Sequence, residues 1–427
     1  MRHTRAILFS LLLLILGPAL HAQNEPYIVR PTVHPCVNVR TEASATASSI
    51  ECLTPGTVVT VIESVPFWRK VKFGNNQEGW IAKKYIEPAG SISADTINAS
   101  DAGNIPANAF LTIHYVDVGQ GDGILIQTYD DGIQGNGKFE GYSIVIDCGP
   151  YKADASNPFL KYVKDLAHRN ADIEALFISH PHSDHFYGAE GIATQFSINH
   201  YYDPGYPKTL VTYTNFVKSM KGTAGTPGLA KKVHIGKANF GTINWGSELK
   251  VEVLYSWVGD PNNELSSGNT EENNSSIVIR VQYGDNVFLF MGDAEGKERD
   301  DDAETAQFVE KILLATVPTK LKATVLKIAH HGSETSSTLP FIRAVDPDIV
   351  VVQSGRKKFR QTFLPDMSTL QRYCDQNHNV RIYRTDEGDE AAGFDEKQAV
   401  DGDHIIIKSN GRGKPQVQAV GDGRFCR

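Results

Sequence analysis

The sequence has few cysteines, no excess of positive charge and no long apolar run beyond its first residues. Its 427 residues include 5 cysteines, and 42 Lys and Arg stand against 50 Asp and Glu. The net charge of −8 argues against a surface covered in nucleic-acid-binding side chains, although it leaves room for a local basic groove. No later segment predicts a membrane span. The length instead favours two globular domains.

The first residues are typical of an export signal. Arg2 and Arg5 precede an apolar core at 6–16, which is too short to span a bilayer and is followed by a Gly-Pro break. We expect a signal peptide at 1–22, cleaved after Ala22. We expect no lipid anchor, because no cysteine directly follows the apolar core. The mature protein would then be secreted or periplasmic, with no integral membrane segment.

An exported chain makes the cysteines candidates for disulfides. Cys36 and Cys52 fall within one small N-terminal unit, and Cys374 and Cys426 form a second candidate pair. Cys148 lies inside an apolar strand, where we expect a buried thiol.

Two kinds of secondary-structure pattern divide the chain. Short β-type runs alternate with turn residues at 27–88 and predict a small β-barrel. Residues 89–108 are small and polar and read as a linker. From 109 to 427 strands alternate with helices, among them a helix predicted at 302–314, which indicates an α/β domain.

The densest chemistry in the sequence is the His-x-His-x-Asp-His segment that follows an apolar run. His180, His182, Asp184 and His185 are ligand types of zinc, manganese and iron sites. The alternative is a histidine-rich surface loop. Three further features repeat the arrangement, because a polar residue directly follows an apolar strand in each; they are Asp147, Asp293 and the pair His330-His331. The sequence therefore predicts a metal site at strand ends.

The N-terminal runs VNVRTEAS, LTPGTVVTVIES, FWRKVKF and EGWIAKKYIEP resemble a bacterial SH3-like domain. The resemblance implies a small all-β barrel that targets or binds, often to cell-wall material. A barrel that only packs against its neighbour is the alternative.

The rest of the chain resembles the metallo-β-lactamase superfamily, and within it the hydrolase domain of ComEC-type competence proteins. The motifs that carry the resemblance are YVDVGQGDGILI, IVIDCG, ISHPHSDHFYGAEGI, NNSSIVIRVQYGDNVFLFMGDAE and VLKIAHHGSETSS. It implies a four-layer αββα fold with one or two divalent metal ions, zinc or manganese.

The resemblance also implies roles for individual residues. The first metal would be held by His180 and His182, the second by Asp184, His185 and His330, with Asp293 between the two ions. Asp184 would also stand beside a metal-bound hydroxide, the nucleophile, and His331 would contact the substrate or donate a proton.

Other residues near these motifs have two interpretations each. Asp147 orients a ligating histidine or caps a turn. The glycine-rich turn with Asp117, Gln120 and Asp122 faces the site or is purely structural. The superfamily commonly supplies another histidine where this chain has Asn273 and Asn274, so an amide or a water would stand in. His200 and His234 are alternative substitutes or ordinary packing residues, and the basic cluster Arg356, Lys357, Lys358 and Arg360 grips phosphates or solvates a loop.

The preferred hypothesis is an exported metal-dependent phosphodiesterase or nuclease that acts on nucleic acid or on a phosphorylated envelope component. The resemblance indicates DNA as the substrate, and the SH3-like module would target the enzyme to a cell-wall component. A second hypothesis keeps the metal site but cleaves an ester, lactone or β-lactam. A third is a wall-binding protein whose hydrolase fold is inactive.

Overall fold

The structure is a computed structural model. It describes residues 25–29, 36–44, 47–54, 57–65, 68–74, 76–88, 105–151, 156–166, 172–260, 264–265, 269–355, 358–359, 362–387, 400 and 402–426. The predicted signal peptide, residues 89–104 of the predicted linker, and Arg356, Lys357 and Arg360 lie outside the described residues. Within those residues, no helix combines the length and apolar character needed to cross a membrane.

The described chain forms two compact units. The small unit contains the strands between residues 25 and 88, and the larger unit contains every element from residue 111 onward. The domain boundaries given above stay predictions.

The small unit is a seven-stranded sheet with the order β3-β2-β6-β5-β4-β1-β7 and antiparallel neighbours. Its strands are β1 Glu25–Val29, β2 Val37–Arg40, β3 Ser49–Leu53, β4 Val58–Ser64, β5 Trp68–Phe73, β6 Gln77–Ala82 and β7 Ile86–Pro88. Alternate apolar residues such as Val59 and Val61 are buried, as the two-residue period of a strand requires. A disulfide joins Cys36 to Cys52. The predictions of a small all-β unit and of this disulfide are confirmed.

In the part of the larger unit that the structure describes there are two main sheets and eight α-helices. Its strands are β8 Leu111–Tyr115, β9 Gly123–Gln127, β10 Ser143–Cys148, β11 Asp172–Phe177, β12 Ser197–Asp203, β13 Gly222–Thr223, β14 Thr226–Pro227, β15 Ala230–Ile235, β16 Leu249–Tyr255, β17 Val278–Tyr283, β18 Asn286–Phe290, β19 Val325–Lys327, β20 Ile349–Val352, β21 Lys358–Phe359, β22 Thr362–Phe363, β23 Arg381–Arg384, β24 Ile405–Ser409 and β25 Gln416–Gln418. Its helices are α1 Pro158–Leu166, α2 Ser183–Phe186, α3 Ala189–Gln195, α4 Val211–Lys221, α5 Asn269–Asn273, α6 Phe308–Thr316, α7 Leu339–Val345 and α8 Met367–Gln376.

The two sheets pack face to face between layers of helices. One has eight strands in the order β15-β12-β11-β10-β9-β8-β24-β25, and the other has six in the order β16-β17-β18-β19-β20-β23. The cluster between them draws on both sheets and includes Ile113, Ile144, Ile279, Phe288 and Val351. The outer clusters join each sheet to its helices and include Leu176, Phe159 and Ile192 on one side and Leu326, Leu313 and Leu370 on the other. The predicted αββα fold is confirmed.

The strands are apolar on both faces, so each sheet packs against the other sheet on one face and against helices on the opposite face. In β10, Ile144 and Ile146 face the other sheet while Val145 faces the helices. Such a strand loses favourable burial if either covering layer is removed.

The carboxyl ends of parallel strands bring the polar residues together. β10 runs parallel to β11, and β18 runs parallel to β19. The ends of the two sheets are tied directly, since Ile277 N donates to Ser179 O at 2.9 Å. His330 N donates to Gly292 O at 3.0 Å, which ties the turn after β19 to the turn after β18.

Two helices differ from the sequence predictions, whereas the remaining cysteines agree with them. The helix predicted at 302–314 begins only at Phe308, whose φ is +46°, and α4 was not predicted. A second disulfide joins Cys374 to Cys426, and Cys148 is a buried free thiol. Both cysteine predictions are confirmed.

Candidate metal centre

The histidine-rich segment forms the turn after β11 and the first residues of α2. His180 and His185 are fully buried, whereas the side chain of His182 is 23% exposed. The ring centroids of His180 and His185 are 4.1 Å apart, and His180 Nε2 lies 3.0 Å from His182 Nδ1. A single short turn therefore brings three imidazoles to one place.

Two groups of metal-ligand side chains meet at the strand ends. The first group is His180, His182 and Asp293, and the second group is Asp122, His185, Asp293 and His331. Within each group the ligand-type atoms lie within 4.8 Å of one another. Asp293 belongs to both groups, so the arrangement suits two neighbouring ions with a shared carboxylate.

The Asp293 carboxylate is the centre of this arrangement. Its Oδ2 lies 3.3 Å from His185 Nε2, 3.4 Å from His331 Nε2 and 3.7 Å from His180 Nε2. Its buried Oδ1 has no hydrogen-bond partner among the described residues. An unpartnered buried carboxylate oxygen is costly, and a cation would satisfy it. Imidazole and carboxylate ligands without a thiolate suit zinc or manganese, so these residues fit a divalent metal ion.

The consecutive histidines His330 and His331 differ in burial and in the side chains that they contact. His331 is buried, with its Nε2 3.3 Å from His185 Nε2. His330 is 23% exposed, and its Nδ1 lies 3.1 Å from Glu295 Oε1. Both residues have left-handed backbone angles, with φ +46° and +52°. This sharp turn directs His331 into the second group and leaves His330 outside both groups, whereas the resemblance implied a ligand role for His330 and a substrate role for His331.

Asp184 lies beside the second group without belonging to it. Its side chain is 26% exposed, and its Oδ2 is 3.5 Å from His331 Nε2. Burial would raise the pKa of Asp184, but the hydrogen bond from His331 and the nearby His185 hold that pKa well below its ordinary value. Asp184 is therefore an ionised carboxylate facing the open side of the centre.

Asp122 belongs to the second group and also forms a buried ion pair with Lys327. The side chain of Lys327 is only 1% exposed. Asp122 Oδ1 lies 3.3 Å from His331 Nδ1, so the carboxylate links the lysine to a candidate ligand. Sequence reasoning missed Lys327. The available signal was a lysine within an otherwise apolar strand just before the histidine pair.

The pKa values of the histidines are shifted in opposite directions in the two groups. Burial lowers the pKa of His180 and of His182, which favours neutral rings with a lone pair for a metal. Burial would also lower the pKa values of His185 and His331, but the Asp293 carboxylate raises both. The Asp293 carboxylate therefore affects the pKa values of the histidines in the second group more strongly than those in the first group.

The glycine-rich turn after β8 is built against the histidine segment. A Cβ at Gly121 would lie 2.4 Å from Asp184 O, so only glycine fits this close approach. Asp117 accepts from Gly119 N at 2.9 Å and from Gly402 N at 3.0 Å, which favours its structural interpretation. The buried Gln120 Nε2 has no hydrogen-bond partner in the described part of the chain.

Asn273 is the last residue of α5 and Asn274 follows it; both contact Glu295, which lies beside His330. Asn274 Oδ1 accepts from Glu295 N at 2.9 Å, a structural contact. Asn273 Nδ2 donates to Glu295 Oε1 at 2.7 Å, and its buried Oδ1 has no partner among the residues described. Neither asparagine belongs to the first or the second group.

His200 and His234 lie elsewhere, on the neighbouring strands β12 and β15. His200 Nδ1 is 2.9 Å from His234 Nε2, and neither residue belongs to the two groups. They pair with each other and do not replace a ligand of the centre.

Comparison with protein families gives two matches. Residues 138–356 match the Metallo-beta-lactamase superfamily, and residues 37–87 match the Bacterial SH3 domain. The second match confirms the SH3-like interpretation of the small unit.

Two curated relatives match about three fifths of the chain. ComE operon protein 3 of Bacillus subtilis is 24% identical over 289 residues, which cover 64% of this chain and 32% of the relative. Recombination protein 2 of Haemophilus influenzae is 26% identical over 268 residues, covering 62% of this chain and 27% of the relative. The chain thus spans about a third or less of the length of these relatives. They are consistent with the ComEC-type resemblance.

Solved structures that the chain is similar to include the metallo-beta-lactamase fold protein YhfI of Bacillus subtilis. It is 13% identical, with a TM-score of 0.36, and the match covers 65% of this chain and 96% of YhfI. MEM-A1, a subclass B3 metallo-beta-lactamase from a soil metagenome library, is 12% identical with a TM-score of 0.32, covering 55% of this chain and 88% of that protein.

Proposed function

Because the chain belongs to the metallo-β-lactamase superfamily of metal-dependent hydrolases, we propose that it is an exported phosphodiesterase that acts on nucleic acid. The observation that carries the proposal is the convergence of two ligand groups on Asp293. Paired sites that share a carboxylate suit phosphoryl substrates, whose attacking and leaving oxygens both carry developing charge.

The first and second groups would hold the metal ions. A bound divalent ion supplies Lewis acidity, which lowers the pKa of water and polarises a phosphoryl oxygen. Asp184, an ionised carboxylate partly exposed beside His331, would accept a hydrogen bond from the attacking water and orient it. Thiolates are absent from both groups, which keeps zinc and manganese as the candidate ions.

His330 is the residue placed to meet the leaving group. Its Nδ1 contacts Glu295 Oε1 and lies 3.1 Å from Thr335 Oγ1. Burial would lower the pKa of His330, but Asp293 and Glu295 raise it, which favours a protonated ring. A partly exposed imidazolium can bind a phosphate oxygen or protonate a leaving alkoxide.

Nucleic acid is favoured over a lactam or ester by the relatives. The name Recombination protein 2 refers to a process that acts on DNA. Because this chain spans only a part of those proteins, DNA uptake does not follow from the similarity.

Export is supported by the disulfides. Cys36–Cys52 and Cys374–Cys426 are typical of an oxidising compartment. The bacterial SH3 domain would then hold the enzyme at a cell-wall component. Fractionation of cells that express the full chain tests this, since protein found only in the cytoplasm would contradict export.

The activity is tested on purified mature protein loaded with zinc or manganese. We expect hydrolysis of bis-p-nitrophenyl phosphate and of single-stranded DNA, with little action on a phosphomonoester or on nitrocefin. Preferential cleavage of nitrocefin would favour the lactam alternative. A chain that binds less than about one metal ion and cleaves none of these substrates would be the inactive wall-binding protein.

A further inference from the structure

Glu272, on the short helix α5, contacts the candidate ligand His182 from outside the first group. Its Oε2 lies 2.8 Å from His182 Nε2, and its side chain is 14% exposed. On the other side of the same ring, His182 Nδ1 faces His180 Nε2 at 3.0 Å. The imidazole of His182 is therefore held between a carboxylate and the first group.

This contact decides which nitrogen of His182 carries the proton. A neutral imidazole has one N–H and one lone pair, and an ionised carboxylate can only accept a hydrogen bond. Nε2 must therefore carry the hydrogen and donate it to Glu272. Nδ1 is left with its lone pair, directed toward His180 and the first group.

The first group depends on this orientation more than the second group does. It has two imidazoles besides the shared Asp293, and His182 is its only partly exposed member. His180 is buried and its Nδ1 lies 3.1 Å from Ser179 Oγ, whereas the side chain of His182 is 23% exposed. A ring on a surface turn that is free to rotate would lose configurational freedom on binding a metal.

Glu272 is itself held in place. Lys208, in the segment after β12, forms an ion pair with the same carboxylate oxygen. The neighbouring Glu271 accepts a hydrogen bond from Tyr206 Oη at 2.9 Å. These two contacts fasten α5 to the segment after β12 and fix the position from which Glu272 reaches His182.

We propose that Glu272 is a positioning residue for the first metal: its carboxylate fixes the Nδ1-lone-pair tautomer and the ring orientation of His182. This inference rests on the proposed metal-binding role of the first group. Outer carboxylates that hold ligating histidines typically contribute about 10- to 100-fold to metal affinity.

The experiment measures zinc affinity by competition with a chromophoric chelator for the folded mature protein. Glu272→Ala is expected to weaken one class of zinc site by about 10- to 100-fold. Glu272→Gln keeps an oxygen that accepts from Nε2–H, so we expect it to recover part of the loss. Glu190→Ala is the control, because Glu190 is an exposed carboxylate on α3 that belongs to neither group; it should leave zinc affinity unchanged.

A double-mutant cycle with His182 separates positioning from a general structural effect. If Glu272 acts through His182, adding Glu272→Ala to His182→Ala causes no further loss of zinc affinity. Additive losses would overturn the proposal. The absorption spectrum of the cobalt-loaded protein should also change in Glu272→Ala and be largely restored in Glu272→Gln.

Two further results would count against the proposal in different ways. Wild-type zinc binding that Glu272→Ala leaves unchanged would overturn the role of Glu272 and leave the proposed function standing. A wild type that binds no zinc, or whose zinc binding does not change in His180→Ala, would overturn both.

Discussion

Asp147 Oδ2 lies 2.8 Å from His185 Nδ1, and the two side chains are fully buried beside the second group. Asp147 directly follows Ile146 in β10 and has a φ of +55°. Its carboxylate also accepts from Ser179 N at 2.7 Å and from Ser179 Oγ at 2.6 Å. One strand-end carboxylate thus fixes both the turn before the histidine segment and the tautomer of His185, whose Nε2 remains for a metal.

Asp147→Asn should weaken metal binding by about 10- to 100-fold without unfolding the protein. An asparagine must present its NH2 group either to Ser179, which already donates, or to His185 Nδ1–H, so one hydrogen bond is lost. Isothermal titration with zinc measures the effect, and circular dichroism monitors the fold. Asp172→Asn, at the exposed start of β11, is the control and should bind zinc like wild type. Unchanged affinity in folded Asp147→Asn would contradict the assigned role.

The two histidines after β19 should differ in their effect on metal content. His331→Ala removes a member of the second group and should lower the number of zinc ions retained after dialysis. His330→Ala lies outside both groups and should retain the metal while losing phosphodiesterase activity. Elemental analysis and the hydrolysis of bis-p-nitrophenyl phosphate report the two effects separately. The opposite pattern would restore the ligand role that the resemblance gave to His330.

The sequence predicted which strand ends carry the site, because the apolar periodicity locates the ends and the residue types are those of metal ligands. Asp293, His180 and His185 are examples. It could not predict which of His330 and His331 enters the second group. That outcome depends on the left-handed backbone angles of two consecutive residues. The sequence of a histidine pair does not reveal such angles.

Long-range pairs were also beyond prediction. Lys327 and Asp122 are 205 residues apart in sequence and meet only because β19 and the turn after β8 end at the same edge. The same holds for Glu272 and His182. The start of α6 was misplaced because acidic residues before Phe308 have ordinary helix propensity, which the tertiary structure overrides.

The Cys374–Cys426 disulfide should stabilise the larger unit. It joins α8 to the C-terminal segment across a sequence separation of 52 residues, and a loop of that size corresponds to about 4 kcal/mol of unfolding free energy in the chain-entropy model. The double variant Cys374→Ala/Cys426→Ala should show this loss in urea unfolding. Cys36→Ala/Cys52→Ala is the comparison, because its disulfide lies in the small unit. Equal stability of the first variant and wild type would contradict the prediction.

Glu310 should make stability depend on pH between about 4.5 and 7. It is fully buried in α6, and burial raises its pKa from 4.5 to about 7 although Thr338 and Ser337 donate to its carboxylate. In that window the native state holds a proton that the unfolded state has released. The free energy of unfolding therefore falls as pH rises, by a total of about 3 kcal/mol, and levels off above pH 7.

Glu310→Gln has no titrating group at this position, so its difference in unfolding free energy from wild type should shift across the same window. Wild type should lose stability relative to Glu310→Gln between pH 5 and 7, as measured by urea unfolding in a chelating buffer. Other titrating groups cancel in the difference. Glu304→Gln controls for removing a negative charge, because Glu304 is exposed and pairs with Arg343 at 3.2 Å. Parallel pH profiles for wild type and Glu310→Gln would show that Glu310 is ionised in the native state, with its donors Ser337 N, Thr338 N and Thr338 Oγ1 outweighing the cost of burial.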